Sequence, residues 1–271
     1  MWISRKEIEE LSKYLRGEVD ADIRDNREGA FSILKNDAYS LVTGKEEQLK
    51  SLEQQRDILS EYMADISHQL KTPITSMMIM TDLLENATPE KQAEFVRNIK
   101  FSLNKMEWLV GALLKMAKID ANSIEFTKKD VEVSKMLEDI TPSLAVLLDI
   151  NDQTVKLSND CVIFCDRRWM EEALTNIIKN AIEHSPKGSV ITVDSGDNPL
   201  YKWISVADNG TGLTRQSYAA LFKRFEYSTN ENGFGIGMPL ALSIVKGQGG
   251  DIDVDFGGNG RGAVFTIKMF K

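Results

Sequence analysis

From about Glu46 to Glu85, apolar side chains return every three, four or seven residues: Leu49, Leu52, Leu59, Tyr62 or Met63, Ile66, Leu70, Ile74, Met77 and Leu84. That period belongs to an α-helix rather than a strand. Forty helical residues span about 60 Å, and an apolar stripe of that length needs a partner to cover it. Asn86-Ala87-Thr88-Pro89-Glu90 marks a turn, in which Thr88 can N-cap a second helix and Pro89 suits its first position. The second stripe follows at once: Phe95, Ile99, Leu103, Met106, Val110, Leu113 and Leu114. Two antiparallel helices bury only part of such stripes, and dimerisation into a four-helix bundle buries the rest.

The flanks have a different texture. Residues 3–16 read as a short helix with Ile3, Ile8, Leu11 and Leu15 roughly on one face, ended by Gly17. A polar connector, Glu18 to Asn26, leads to a further helical pattern that opens at Glu28-Gly29 and carries Phe31, Leu34, Ala38 and Leu41. Past Asp120, short β-like runs alternate with helical ones. The expected strands are Ser123–Phe126, Thr154–Ser158, Cys161–Cys165, Val190–Asp194 and Lys202–Ala207. The expected helices are Val133–Leu148, Arg167–His184, Arg215–Phe222 and Pro239–Lys246. Two terminal strands, Asp251–Phe256 and Gly262–Met269, are joined through Gly257-Gly258-Asn259-Gly260. The expected fold class is α+β: an antiparallel helical hairpin that dimerises, then an α/β sandwich with the sheet on one side and helices on the other. The boundary falls near residues 120–124.

Charge narrows the function. Asp and Glu number 41 against 33 Lys and Arg, a net charge of -8, which argues against a general nucleic-acid binder. Any polyphosphate bound here needs local cations, backbone N–H groups or a metal ion. The two cysteines, Cys161 and Cys165, lie in an apolar run with no adjacent His and read as small buried hydrophobes rather than a zinc site. A reducing compartment fits them. With no run of 18 apolar residues and no signal-peptide core after Met1, the chain as given is expected to be soluble. It remains compatible with being the inner part of a longer membrane protein.

Four clusters could carry chemistry. His68 lies in Ile66-Ser67-His68-Gln69-Leu70-Lys71-Thr72-Pro73. Pro73 removes one backbone hydrogen bond and crowds the carbonyl of Gln69, so a bend is expected one turn beyond His68. Asn176 and Asn180 share a helix face one turn apart, with Glu183 or His184 a further turn along. Neutral oxygens beside a carboxylate suit a hard cation such as Mg²⁺. Asp208-Asn209-Gly210-Thr211-Gly212 follows a strand: Asp208 can accept from an exocyclic amine, and the glycines let backbone approach a planar base. Gly233-Phe234-Gly235-Ile236-Gly237 precedes a helix and can cradle phosphate. Its spacing is not that of a dinucleotide fold. Between the glycine boxes lie Leu221-Phe222-Lys223-Arg224-Phe225 and the polar stretch Glu226–Asn232, which reads as a lid. Lys223 and Arg224 are the nearest cations, or else a solvated basic pair.

Taken in order, these boxes resemble those of the sensor histidine kinases of two-component systems. The H box resembles Ser67–Pro73, the N box Asn176-Ile177-Ile178-Lys179-Asn180-Ala181, the G1 box Asp208–Gly212, the F box Phe222–Phe225 and the G2 box Gly233–Gly237. The likeness covers about residues 46 to 271, and residues 1–45 look like a HAMP-type relay. The resemblance implies three parts: a relay over 1–45, a dimerisation and histidine-phosphotransfer hairpin over 46–121, and a Bergerat-type ATP-binding domain over 122–271. It implies His68 as phosphoacceptor, Asn180 as Mg²⁺ ligand with Asn176 beside it, and Asp208 as reader of adenine. Gly210, Gly212, Gly233, Gly235 and Gly237 would shape the pocket and Phe222 and Phe225 would flank it. The implied cofactors are ATP and Mg²⁺. The implied partners are a second copy of the chain and a response-regulator receiver domain, with no nucleic acid. A membrane enters only through upstream segments, which makes the chain the cytoplasmic part of a bacterial sensor.

One residue departs from the family. Gln69 stands where most members have Glu or Asp, and a Gln can orient the imidazole but cannot take its proton. Reduced rather than abolished activity is expected. Thr72, one turn after His68, can position water for dephosphorylating a partner. Two alternatives are a phosphatase-dominant or weakly active kinase and an ATPase of the same nucleotide fold; a pure scaffold fits the intact boxes least.

Overall fold

The computed structural model describes residues 4–19, 22–24, 29–121, 123–226, 235–257 and 262–271, apart from the side chains of Gln55, Ile58, Leu59 and Glu61. The chain forms two compact units, Met1–Ser67 and His68–Lys271.

In the first unit, α1 spans Arg5–Leu15. Its start is a capping box: the Ser4 hydroxyl accepts from Glu7 N at 3.2 Å, and the Glu7 carboxylate accepts from Ser4 N at 3.0 Å. Gly17, at φ 71, follows the C-cap and ends the helix as expected. The buried residues are Leu11 and Tyr14, whereas Ile8 and Leu15 are exposed, so the apolar face is turned from the expected one. The reason is aromatic: Tyr14 stacks on Tyr39 at 6.0 Å, and Arg24 covers Tyr39 at 4.4 Å. Ile3 and Glu28 lie outside the described residues.

The two helical patterns expected at 29–41 and 46–85 form one helix, α2, Ala30–Leu84. Gly44 falls between them and costs about 1 kcal/mol relative to Ala, too little to break a helix. Pro73 also lies inside α2 without ending it. Past the turn comes α3, Pro89–Asp120, with Pro89 at its start. Thr88 holds the N-cap position with extended backbone, but its hydroxyl does not cap. The Glu90 carboxyl is held below its ordinary range by its own backbone N–H and by the Thr88 hydroxyl beside it. The turn is tied instead by Gln92, whose side chain donates to the Leu84 carbonyl at 3.0 Å.

The remaining elements are β1 (Lys129–Glu132), α4 (Val133–Asn151), β2 (Thr154–Leu157), β3 (Val162–Cys165), α5 (Arg167–His184), β4 (Val190–Asp197), β5 (Tyr201–Ala207), α6 (Arg215–Leu221), α7 (Gly237–Gly247), β6 (Gly250–Asp255) and β7 (Val264–Phe270). Strands β2-β4-β5-β7-β6 form one sheet, in which β2 and β4 run parallel and the other neighbours antiparallel. Alternate residues point inward: Ile191 and Val193, Ile204 and Val206, Phe265 and Ile267 are buried beneath the helices. Helices α5 and α7 supply Leu174, Ile177, Ile178, Leu240 and Ile244 to the same core, giving an α/β sandwich. The last third of α3 joins it through Leu109, Ala112, Met116 and Ile119.

One expected strand is absent. Ser123–Phe126 is irregular, and β1 begins only at Lys129, where Val131 pairs with Ile163 of β3. The backbone before it is committed elsewhere: Thr127 N donates to Asp166 Oδ2 at 2.8 Å, and Phe126 meets Trp169 edge-on at 5.9 Å. Cys165 is buried in β3 with its thiol pushed up to about 12 by burial, and Cys161 is half-buried just before the strand. Of the expected Gly257–Gly260 turn, only Gly257 is among the described residues. Among those residues no helix is long and apolar enough to cross a membrane.

Candidate active site

Helix α5 is the wall of the site. Asp166 caps it through Trp169 N, and Asp166 N in turn donates to Gln248 Oε1 at 2.6 Å, which joins the start of α5 to the end of α7. The apolar face of α5 is wholly buried, leaving Asn176 and Asn180 half-buried on the other side. The two asparagines have different settings. Asn176 Nδ2 donates to the Glu172 carbonyl at 2.8 Å, and a Cβ added at Gly237 would lie 2.9 Å from Asn176 Oδ1. Asn176 therefore buttresses the first turn of α7. The Asn180 amide makes no hydrogen bond among the described residues and remains available to a ligand. Glu183, one turn beyond Lys179, pairs with it at 3.9 Å.

The C-terminus of α5 is closed by a residue the sequence did not flag. Gln153, 4% exposed, donates from Nε2 to the carbonyls of Ile182, Ser185 and Pro186. Those acceptors would otherwise be orphaned at a helix end.

Asp208 sits just past β5, buried, and its Oδ1 accepts from Gly210 N at 2.8 Å and Ala263 N at 3.0 Å. Burial raises its carboxyl above the ordinary range, while those two N–H groups and His184 pull it down. Close approach here is literal. A Cβ at Gly262 would lie 2.1 Å from both the carbonyl and Oδ1 of Asp208, and one at Gly210 would lie 2.4 Å from the His184 carbonyl. Gly262 and Ala263 were missed because they read only as the start of the last strand, which in fact begins at Val264. Asn209 bridges the neighbouring elements, donating from its backbone N–H to Ser185 Oγ and from Nδ2 to the Val190 carbonyl.

Phe222 and Phe225 are half-buried and pack on the core. Phe225 adopts φ 65, and its N–H donates to the Gly235 carbonyl at 3.2 Å, so the F box is stitched to the second glycine box. Gly212 and Gly235 both take positive φ, which glycine accepts without strain. The two neighbouring cations are not a free pair: Lys223 meets Glu226 at 3.0 Å, and Arg224 meets Asp120 at 2.6 Å. Gly233, Phe234 and the expected lid from residue 227 to residue 232 lie outside the described residues.

His68 is exposed on α2, while Gln69 and Leu70 turn inward and Leu70 packs on the core. The Thr72 hydroxyl donates to the His68 carbonyl at 3.4 Å, one turn back. The structure thus brings Asn176 to Gly237 and Asp208 to Gly210, while His68 makes no side-chain bond to any of them.

Residues 58–122 match the His Kinase A (phospho-acceptor) domain, and residues 165–271 match the family described as Histidine kinase-, DNA gyrase B-, and HSP90-like ATPase. Sporulation kinase C of Bacillus subtilis (strain 168) is 31% identical over 228 residues, which cover 82% of this chain and 51% of that protein. The chain thus spans about half the length of the curated relatives it matches. The solved Acinetobacter baumannii histidine kinase AdeS superposes with a TM-score of 0.62 at 21% identity, covering 75% of this chain and 97% of that one. Histidine kinase ThkA, solved in complex with response regulator protein TrrA, superposes with a TM-score of 0.64 at 20% identity, over 84% of this chain and 66% of that one. These two likenesses show a shared fold. With a phospho-acceptor domain followed by an ATPase domain of this family, the chain belongs to the sensor histidine kinases.

Proposed function

We propose that the protein is an ATP-dependent histidine kinase that phosphorylates His68, works as a homodimer and passes the phosphoryl group to an aspartate of a response-regulator receiver domain. The observation that carries this reading is the union in one chain of an exposed His68 within the phospho-acceptor domain and a nucleotide-type pocket around Asp208 and Asn180. Asp208 Oδ1 is occupied by two backbone N–H groups, which leaves Oδ2 to accept from the amine of adenine. Asn180 fits a hard cation: its amide is uncommitted, and no cluster of three or more His, Cys, Asp or Glu that could hold a metal occurs among the described residues. A site with one protein oxygen suits Mg²⁺, which leans on water and phosphate. When bound with ATP, the ion supplies charge neutralisation at the phosphates.

The neutral imidazole of His68 attacks the γ-phosphorus, the bond to the ADP oxygen breaks, and ADP leaves. The imidazole proton passes to water, because Gln69 cannot accept it. Exposed apolar residues along the hairpin, among them Met78, Leu83, Phe101, Leu103 and Leu114, support a second copy packed against it. Helix α2 runs unbroken from Ala30 through His68, which supports a signal entering from residues 1–45 in a longer membrane sensor. The Thr72 hydroxyl lies one turn from His68, which supports a role for it in orienting water when the regulator is dephosphorylated.

Incubation with γ-labelled ATP tests the reading. An acid-labile, base-stable label is expected on the wild type and none on His68→Ala. ATP turnover without label would instead establish an ATPase.

A further inference from the structure

Helix α4 is apolar on two sides. Met136, Leu137, Ile140, Leu144 and Leu148 face the core. Pro142, Val146 and Ile150 follow one another at a spacing of four on the opposite side, where Val146 is 72% and Ile150 64% exposed. At 1.5 Å per residue this outer stripe runs about 12 Å. Single exposed apolar residues are ordinary, but a helix that is apolar all round is ordinarily covered all round. Helix α5 shows the usual arrangement, with Glu172, Asn176, Lys179 and Glu183 on the side away from the core.

The charges beside the stripe are of one sign and uncommitted. Glu138, Asp149 and Asp152 are exposed and make no ion pair among the described residues, while Asp139 is met by Arg167. Lys135, the one base of α4, is held by Glu132 at 2.8 Å. Pro142 adds a backbone acceptor, because it lacks the N–H that would bond the Glu138 carbonyl. The stripe thus begins at a carboxylate and an open carbonyl of one residue and ends among two further carboxylates. That sign selects the occupant. A second copy packed face to face would set the same acids against one another, and a net charge of -8 leaves the chain no surplus of bases to offset them. Anionic lipid and nucleic acid are repelled in the same way. A helix with apolar residues on one side and Lys or Arg beside them satisfies both the stripe and its rim.

We propose that the outer face of α4 docks a basic amphipathic helix of a partner protein, with its apolar side on Pro142, Val146 and Ile150 and its cations on Glu138, Asp149 and Asp152. None of these residues belongs to the candidate active site, so the proposal stands whether or not His68 takes a phosphoryl group. The probe is a synthetic Leu/Lys peptide patterned as an amphipathic helix, added to the full chain, with a Leu/Glu peptide of the same pattern as control. Hydrogen exchange should slow over residues 138–152 with the Lys peptide alone. Its affinity should fall about tenfold in the double variant Val146→Gln/Ile150→Gln, which removes the apolar contact. It should fall several-fold in Glu138→Gln/Asp149→Asn, a loss that shrinks as salt is raised. All four side chains are exposed, so both variants should keep the wild-type melting temperature. Protection elsewhere in the chain overturns the proposal, as does an affinity that either variant leaves unchanged. Self-association of the wild type that Val146→Gln/Ile150→Gln abolishes would assign the face to a second copy instead. Binding to anionic phosphatidylserine vesicles that is lost in the same variant would assign it to a membrane, and either result overturns the partner helix.

Discussion

The surroundings of His68 and those of Asp208 could hardly be built more differently. His68 is exposed on a helix, with a neighbouring hydroxyl bonded to its backbone and no hydrogen bond or ion pair from its imidazole to a described residue. Asp208 is buried, gripped by two backbone N–H groups, and hemmed in by glycines whose replacement would collide with backbone. On the proposed reading the contrast teaches that a nucleophile which must meet both a nucleotide and a partner has to be left open, whereas a group that reads one base has to be fixed beforehand. Preorganised acceptors avoid reorganisation at the moment of binding. Substitutions should therefore have large effects around Asp208 and graded ones around His68.

The sharpest way to break the comparison is Asp208→Asn. Its oxygen can still accept from Gly210 and Ala263, but an NH₂ group then faces the amine of adenine. ATP affinity should fall about 10- to 100-fold, the worth of a hydrogen bond to a charged group, read by calorimetric titration. An affinity within twofold of wild type would mean that Asp208 does not read the base.

Next in size is Gly262→Ala. The added carbon would sit 2.1 Å from two Asp208 oxygens, so β7 or the β5 end must shift. A loss of about 1–3 kcal/mol is expected from such overpacking, measured by denaturant unfolding, together with weaker ATP binding. Normal stability would show that the Asp208 turn is not rigid.

The smallest effect is expected at the open site. Gln69→Glu supplies a proton acceptor beside His68 and should raise the autophosphorylation rate several-fold, within the range of general-base catalysis, with no change in melting temperature. An unchanged rate would show that the proton is lost to water equally well in either protein.

Much of the fold was legible because helices announce themselves locally. The stripes through Leu70 and Ile74, and through Ile99 and Leu103, led to the hairpin, and α5 fell at Arg167–His184 as its pattern indicates. Errors came where local pattern and tertiary commitment disagree. Ser123–Phe126 has strand-like residues, but Phe126 is spent on Trp169 and Thr127 on Asp166. The patterns before and after Gly44 read as two helices, yet one glycine is too weak a breaker to separate them. The candidate site was legible as a set of boxes whose order carried the meaning, although Asn176 proved to support Gly237 while Asn180 stayed open.

By itself the sequence determined the helical hairpin, the alternation of β and α beyond it, and which residues are the candidates for phosphoacceptor and base reader, because each depends on neighbours within a few turns or on a short motif. Only the tertiary structure decided that Gly262 and Ala263 close the Asp208 turn from 55 residues away, that Gln153 seals the end of α5, and that Asp120 holds Arg224. Those pairings have no period and no motif. They exist because burying the sheet beneath α5 and α7 leaves polar groups that must find partners, and the partner is whichever residue the packing brings within reach.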